Sequence, residues 1–148
     1  MSNKSTTLQL CIDVKCLIVQ LFYIDYIPQS LKDILMNPNF TFVGTRVGDD
    51  IQKLKSEYGL TCRKSAANGE MVKSRWPGRF SRLGLKDHAF QILGLNMKKP
   101  LHVTKSNWEA RVLSDDQVEH ACNDAYVSYR VGMECIAVVV KALPFGIL

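Results

Sequence analysis

A histidine and an aspartate four residues apart, His120 and Asp124, stand within SDDQVEHACNDAYVSYRVG, residues 114–132. In a helix that spacing puts both side chains on one face, one turn apart. An acid held on a packed helix, with an imidazole one turn away, suits a metal or an attacking water. A second pair of acids, Asp49 and Asp50, follows a strand-like stretch and a glycine. Open α/β sheets place their ligands at the carboxyl ends of strands. Each feature also has a plain structural reading. On this segment alone the plainer reading leads: residues 114–132 are an amphipathic core helix with an ordinary surface aspartate. Asp at a helix start caps the chain and complements the helix dipole.

The elements that must position these residues are marked in the sequence. Ser114 suits an N-cap, and Gln117 closes a capping box back to it. Asp115 and Asp116 then occupy the first turn. Val118, Ala121, Cys122, Ala125 and Tyr129 recur at three- and four-residue steps, an apolar stripe. For the other pair, residues 40–47 read as a strand, Gly48 as a turn, and residues 49–58 as a helix ended by Gly59.

Upstream, residues 6–12 and 16–22 form a predicted hairpin. Leu8, Leu10 and Ile12 alternate with Thr7, Gln9 and Cys11 along the first strand, while the second is apolar on both faces. Residues 28–36 read as a short helix stopped by Asn37-Pro38-Asn39. Residues 60–80 carry turn signals at Asn68-Gly69 and Pro77-Gly78, with a brief strand expected at 70–73. Residues 83–93 read as a helix ended by Gly94, and residues 98–107 as an extended basic connection. His88 and His102 are isolated and read as structural. Together these elements predict an α/β fold with a mixed sheet.

The chain has 148 residues, 47% apolar and 22% charged, which fits one globular domain over residues 1–148. Its polar start does not resemble a secretion signal. Its apolar tail is too short to span a bilayer, and residues 134–148 read as a docked or loose segment. No membrane partner is expected. Five cysteines, with no CxxC pair, point to free thiols in a reducing compartment, nuclear or cytoplasmic. The net charge of +5 is uneven: residues 63–105 carry ten basic residues against Glu70 and Asp87. A basic surface interleaved with Trp76, Phe80 and Trp108 suits a polyanion, with aromatics to stack on bases. Arg75, Arg79, Arg82, Lys86 and Trp108 are the candidate contacts. The alternative is a solvated basic face over core tryptophans.

Three stretches carry a resemblance: FVGTRVGDDIQKL, GLKDHAFQILG and SNWEARVLSDDQVEHACNDAYVSY. They resemble a Werner-syndrome-type 3′–5′ exonuclease domain, in its plant-like form, and the likeness runs over nearly all of residues 6–133. It implies a ribonuclease-H-like fold of the DEDD superfamily. It also implies two divalent metals, Mg²⁺ or Mn²⁺, held by four acids, and a nucleic acid with a 3′ end as partner. The family's second-motif acid corresponds to Asp50 and its third-motif acid to Asp124.

Two departures qualify what the resemblance implies. His120 stands where the family places a tyrosine that orients the nucleophilic water. The family's first strand, with its Asp and Glu, has no counterpart, since no acid precedes Asp13 and Asp13 itself falls in the hairpin turn. That strand lies centrally in the family's sheet, between the hairpin and the strand at residues 40–47. Without it the sheet must close up, recruit another segment or stay loose, because each buried unpaired backbone group costs about 1–3 kcal/mol. Two carboxylates make a poor cage for two hard cations. The expected function is therefore an exonuclease-family domain acting on or binding nucleic acid, catalytically impaired as it stands. The alternatives are a non-catalytic relative that binds nucleic acid or an intact paralogue, and a truncated product without independent function.

Overall fold

Strand β3 (Thr41–Gly44) organises the computed structural model, which describes residues 5–80, 84–136 and 145–147. Successive strand residues point to opposite faces, and here both faces are covered. Phe42 turns toward a cluster with Leu8, Leu21, Leu31, Leu35, Leu54 and Leu60. Val43 turns the other way, onto Cys11, Ala125 and Tyr129. The first cluster is built from the hairpin β1 (Leu8–Ile12) and β2 (Lys15–Val19), helix α1 (Gln29–Met36) and helix α2 (Val47–Tyr58). On the other face, α3 (Asn68–Arg75), α4 (Leu85–Leu93) and the long helix α6 (Asp115–Ile136) share a third cluster of Val72, Leu85, Ala89, Met97, Val127, Val131 and Cys135. A single turn, α5 (Leu101–Thr104), precedes α6.

Among the described residues the strands form two sheets: the antiparallel hairpin, and a parallel trio in the order β4 (Ser65–Ala67), β3, β5 (Phe145–Ile147). The sheet thus recruits the end of the chain. Thr41, Phe42 and Val43 of β3 pair with Phe145, Gly146 and Ile147, and β5 also neighbours β1 and α6. The segment beside β3 carries no acid.

Local signals held where the chemistry is local. Gly59 and Gly94 both take left-handed φ of 67° and end α2 and α4. The capping box forms: Gln117 N donates to Ser114 Oγ at 3.2 Å and Ser114 N to Gln117 Oε1 at 2.9 Å. Three expectations are corrected. Residues 70–73 are helical, not a strand, because the parallel partner of β3 is Ser65–Ala67 and the chain turns directly into α3. Residues 98–107 are not wholly extended, since Pro100 caps the α5 turn. Helix α2 starts at Val47, two residues before the predicted start, and the strand ends at Gly44. The predicted helix start at Leu83 lies outside the described residues.

Helix α6 crosses β3 closely at Gly132, where an added Cβ would stand 3.0 Å from Val43 Cγ2. Alanine there gains up to about 1 kcal/mol of helix propensity, but overpacking a fully buried neighbour costs about 1–3 kcal/mol. Gly132→Ala is expected to lower stability by about 1 kcal/mol in urea titrations. In a Val43→Ala background the same change is expected to stabilise. Equal losses in both backgrounds would remove the steric cause.

Candidate functional site

Asp50 and Asp124 come from distant parts of the chain and line one open cleft of about 310 Å³. Asp50 sits in the first turn of α2, directly beyond β3. Asp124 projects from α6, held in place by Ala121, Ala125 and Val127, which are buried beside it. Gln9, Thr45, Arg46, Leu85, Lys99 and Ser128 complete the walls. The sequence pattern did not identify Arg46 or Lys99 as site residues. Lys99 Nζ lies 3.4 Å from Asp124 Oδ1. Arg46 acts on Asp50 through its charge. The cleft therefore pairs two carboxylates with two cations.

His120 does not line this cleft and meets it only through Asp124. Its Nδ1 lies 3.7 Å from Asp124 Oδ2, but its Nε2 is 3.3 Å from Thr104 Oγ1. It lines a separate cleft with Lys98, Pro100, His102, Val103, Asp116, Glu119 and Asn123. Trp108 packs edge-on against its ring with centroids 5.8 Å apart, and donates from Nε1 to Thr104 O at 3.1 Å. Both atoms of the imidazole that could handle a proton thus already face protein groups.

The remaining candidates are spread out. Arg79 and Lys86 are exposed. Arg75 is half-buried, its guanidinium 5.1 Å from the centre of the Trp76 ring. Arg82 lies outside the described residues. Trp76 and Phe80 pack edge-to-face, centroids 5.5 Å apart, and both lie against the third core cluster. Those two aromatics serve the core. Asp13, left out of the ligand set, accepts a hydrogen bond from Tyr129 Oη at 3.0 Å. His88 is buried, as a structural histidine should be, and burial lowers its pKa.

A family model described as 3′–5′ exonuclease matches residues 2–134. The chain belongs to the 3′–5′ exonuclease family. A 3′–5′ exonuclease of Arabidopsis thaliana is 27% identical over 130 residues, covering 87% of this chain and 44% of the relative. The bifunctional 3′–5′ exonuclease/ATP-dependent helicase WRN of Mus musculus is 26% identical over 127 residues, covering 84% and 9%. The chain thus spans less than half the length of these relatives. The crystal structure of Escherichia coli RNase D, an exoribonuclease involved in structured RNA processing, superposes with a TM-score of 0.70. It is 20% identical and covers 89% of this chain and 35% of that one. This likeness shows the ribonuclease-H-like fold that the family resemblance implied.

Among the described residues of this exonuclease-family chain, no group of three or more His, Cys, Asp or Glu is placed to hold a metal ion. Carboxylate oxygens are the right donors for Mg²⁺ or Mn²⁺. Asp50 and Asp124 alone do not complete a two-metal cage, and Lys99 already stands at one of them. No described helix is long and apolar enough to cross a membrane.

Asp50 is exposed on one side, yet its pKa is raised. Burial against the cleft wall is the main cause; Lys53 lowers it, Asp49 raises it and Arg46 lowers it. A carboxyl whose folded pKa exceeds its unfolded value, about 3.9, costs stability as pH rises between the two, and the full cost remains above the folded value. Asp50→Asn is expected to raise Tm at neutral pH and to lose that gain near about pH 3. Thermal scans across pH check this, and a gain that persists in acid would remove the charge as its cause.

Proposed function

We propose that this chain engages nucleic acid at the Asp50/Asp124 cleft, with exposed basic residues of the 63–105 segment as further contacts. Its own residues supply only part of a family-type phosphodiester-hydrolysing site. The reading rests on one juxtaposition: two carboxylates, at the family's second- and third-motif positions, line a single cleft that also presents Lys99 and Arg46. When bound there, Mg²⁺ or Mn²⁺ would supply Lewis-acid activation of a phosphodiester, with Asp50 and Asp124 as the ligands from this chain. Arg46 and Lys99 offer positive charge to a phosphate backbone. Exposed Lys86 follows the cleft residue Leu85 in sequence, and exposed Arg79 and half-buried Trp108 are separate candidate contacts elsewhere on the surface. Hydrolysis by the chain alone is slow on this reading, because its donor set is short and its His120 is turned toward Thr104.

The test uses the purified chain with labelled single-stranded and recessed-3′ DNA and RNA, with Mg²⁺, Mn²⁺ or chelator. The expected result is binding that weakens steeply with salt, with nucleotide release no faster than in Asp124→Ala. For single strands the logarithmic salt slope should fall by about 0.7 for each phosphate contact removed, as in Arg79→Ala and Lys86→Ala. Absence of salt-dependent binding would overturn the proposal. Brisk release abolished by Asp124→Ala would overturn the impairment.

A further inference from the structure

On the hairpin, Cys11 of β1 and Cys16 of β2 are direct cross-strand partners. The turn between the strands has two residues, Asp13 and Val14, and its closing pair is Ile12 with Lys15. The closing pair of such a turn exchanges the ladder hydrogen bonds, so the next pair is of the non-hydrogen-bonded kind. Its Cα atoms stand about 4.5 Å apart with side chains at their closest, within the disulfide range of about 4.4–6.8 Å. Each thiol donates to a carbonyl, Cys11 Sγ to Asp13 O at 3.9 Å and Cys16 Sγ to Cys122 O at 3.7 Å, and the two thiols act on one another electrostatically. All five cysteines are free.

Access favours one member of the pair. Cys11 is only 2% exposed, while Cys16 is half-buried and lines, with Cys11, an apolar groove of about 350 Å³. A third thiol belongs to the same group: Cys16 and Cys122 of α6 line a neighbouring cleft and act on one another, so Cys122 is the competing partner for Cys16.

From this arrangement we infer that Cys11 and Cys16 form a reversible cross-strand disulfide site, loaded by a low-molecular-weight disulfide. The Cys16 thiolate attacks one sulfur of the small disulfide, breaks its S–S bond and expels a thiolate that takes up a proton. The Cys11 thiolate then attacks Cys16 Sγ in the mixed disulfide and expels the second small thiol. Two protein thiols are oxidised, one small disulfide is reduced, and the two protein protons leave on the two small thiols.

The site is slow by construction. Burial pushes the Cys16 thiol up to about 12 and raises Cys11 as well, so little thiolate is present at neutral pH. The ring it closes is short and removes little chain entropy from the unfolded state. The bond is therefore a switchable link, poised by the ambient thiol–disulfide ratio. Forming it draws Cys16 toward Cys11 and away from Cys122, which lies two residues from Asp124 on α6.

The test equilibrates the full chain with glutathione and its disulfide over a range of ratios and pH, then quenches with acid, alkylates and maps tryptic peptides. Cleavage after Lys15 separates the two cysteines, so the link is read as residues 5–15 joined to residues 16–32. The expected result is that joined species, with Cys62, Cys122 and Cys135 alkylated. Its rate should rise about tenfold per pH unit. Cys16→Ser should abolish the link and Cys62→Ser should leave it. A Cys16–Cys122 link, an intermolecular link, or five alkylated thiols at every ratio would overturn the proposal. Mapping the unaltered chain decides the matter even if a variant fails to fold.

Discussion

Replacing Phe42 with alanine is expected to remove about 3–5 kcal/mol of stability, as aromatic truncations in cores do. Phe42 is 1% exposed and contacts a cluster drawn from the hairpin, α1 and α2. It also meets Phe40 edge-to-face, with centroids 6.4 Å apart. The apolar groove along the hairpin already reaches this ring. Solvent can therefore enter part of the vacated space, which places the loss toward the lower end of that range. Against a net stability of about 5–15 kcal/mol, even that loss leaves little reserve. Urea titration should show a lower midpoint with an unchanged slope. A loss below about 1 kcal/mol would mean that the ring is not the centre of this cluster. The site shares the consequence, because Leu54 belongs to the same cluster and anchors α2, which carries Asp50.

What the sequence made legible follows how far each signal reaches. Ser114 and Gln117 are three residues apart, so their capping box is written in the local chain. Gly59 and Gly94 announce their own left-handed turns for the same reason. Asp124 could be placed on a packed helix face because Ala121 and Ala125 recur beside it. Helix α3 was hidden, because Asn68-Gly69 is a turn signal. Its start is set by distant partners: β4 pairs with β3, and Asn68 Nδ2 donates to Ser128 O at 3.1 Å. The strand beside β3 was hidden too, since Phe145-Gly146-Ile147 has no pattern of its own until β3 offers an edge. Lys99 reaches Asp124 across 25 positions of sequence, a distance over which spacing carries no information. The orientation of His120 depends likewise on Thr104 and Trp108, which no helical periodicity names.

In metal-free buffer, Asp124→Asn is expected to tighten the binding of a single-stranded oligonucleotide, and Lys99→Ala to loosen it. A phosphate in the cleft meets the Asp124 carboxylate and the Lys99 ammonium together. A unit charge about 7 Å from a phosphate, partly solvated, contributes about 0.5–2 kcal/mol, so each change should move Kd by about 3- to 30-fold at low salt. The effect should shrink as salt shortens the screening length. Lys99 and Asp124 are each 36% exposed, so their own pairing contributes at most about 1 kcal/mol and releases easily. Freed of Asp124, Lys99 turns fully to the phosphate. Lys99→Ala should therefore cost more in the Asp124→Asn background than in the unaltered chain, a coupling that a double-mutant cycle measures. Nucleotide release with Mg²⁺ or Mn²⁺ should stay at background in the unaltered chain and in Asp124→Asn alike, so tighter binding brings no faster release. Weaker rather than tighter binding in Asp124→Asn would make Asp124 a prop for the helix rather than a group that meets the phosphate.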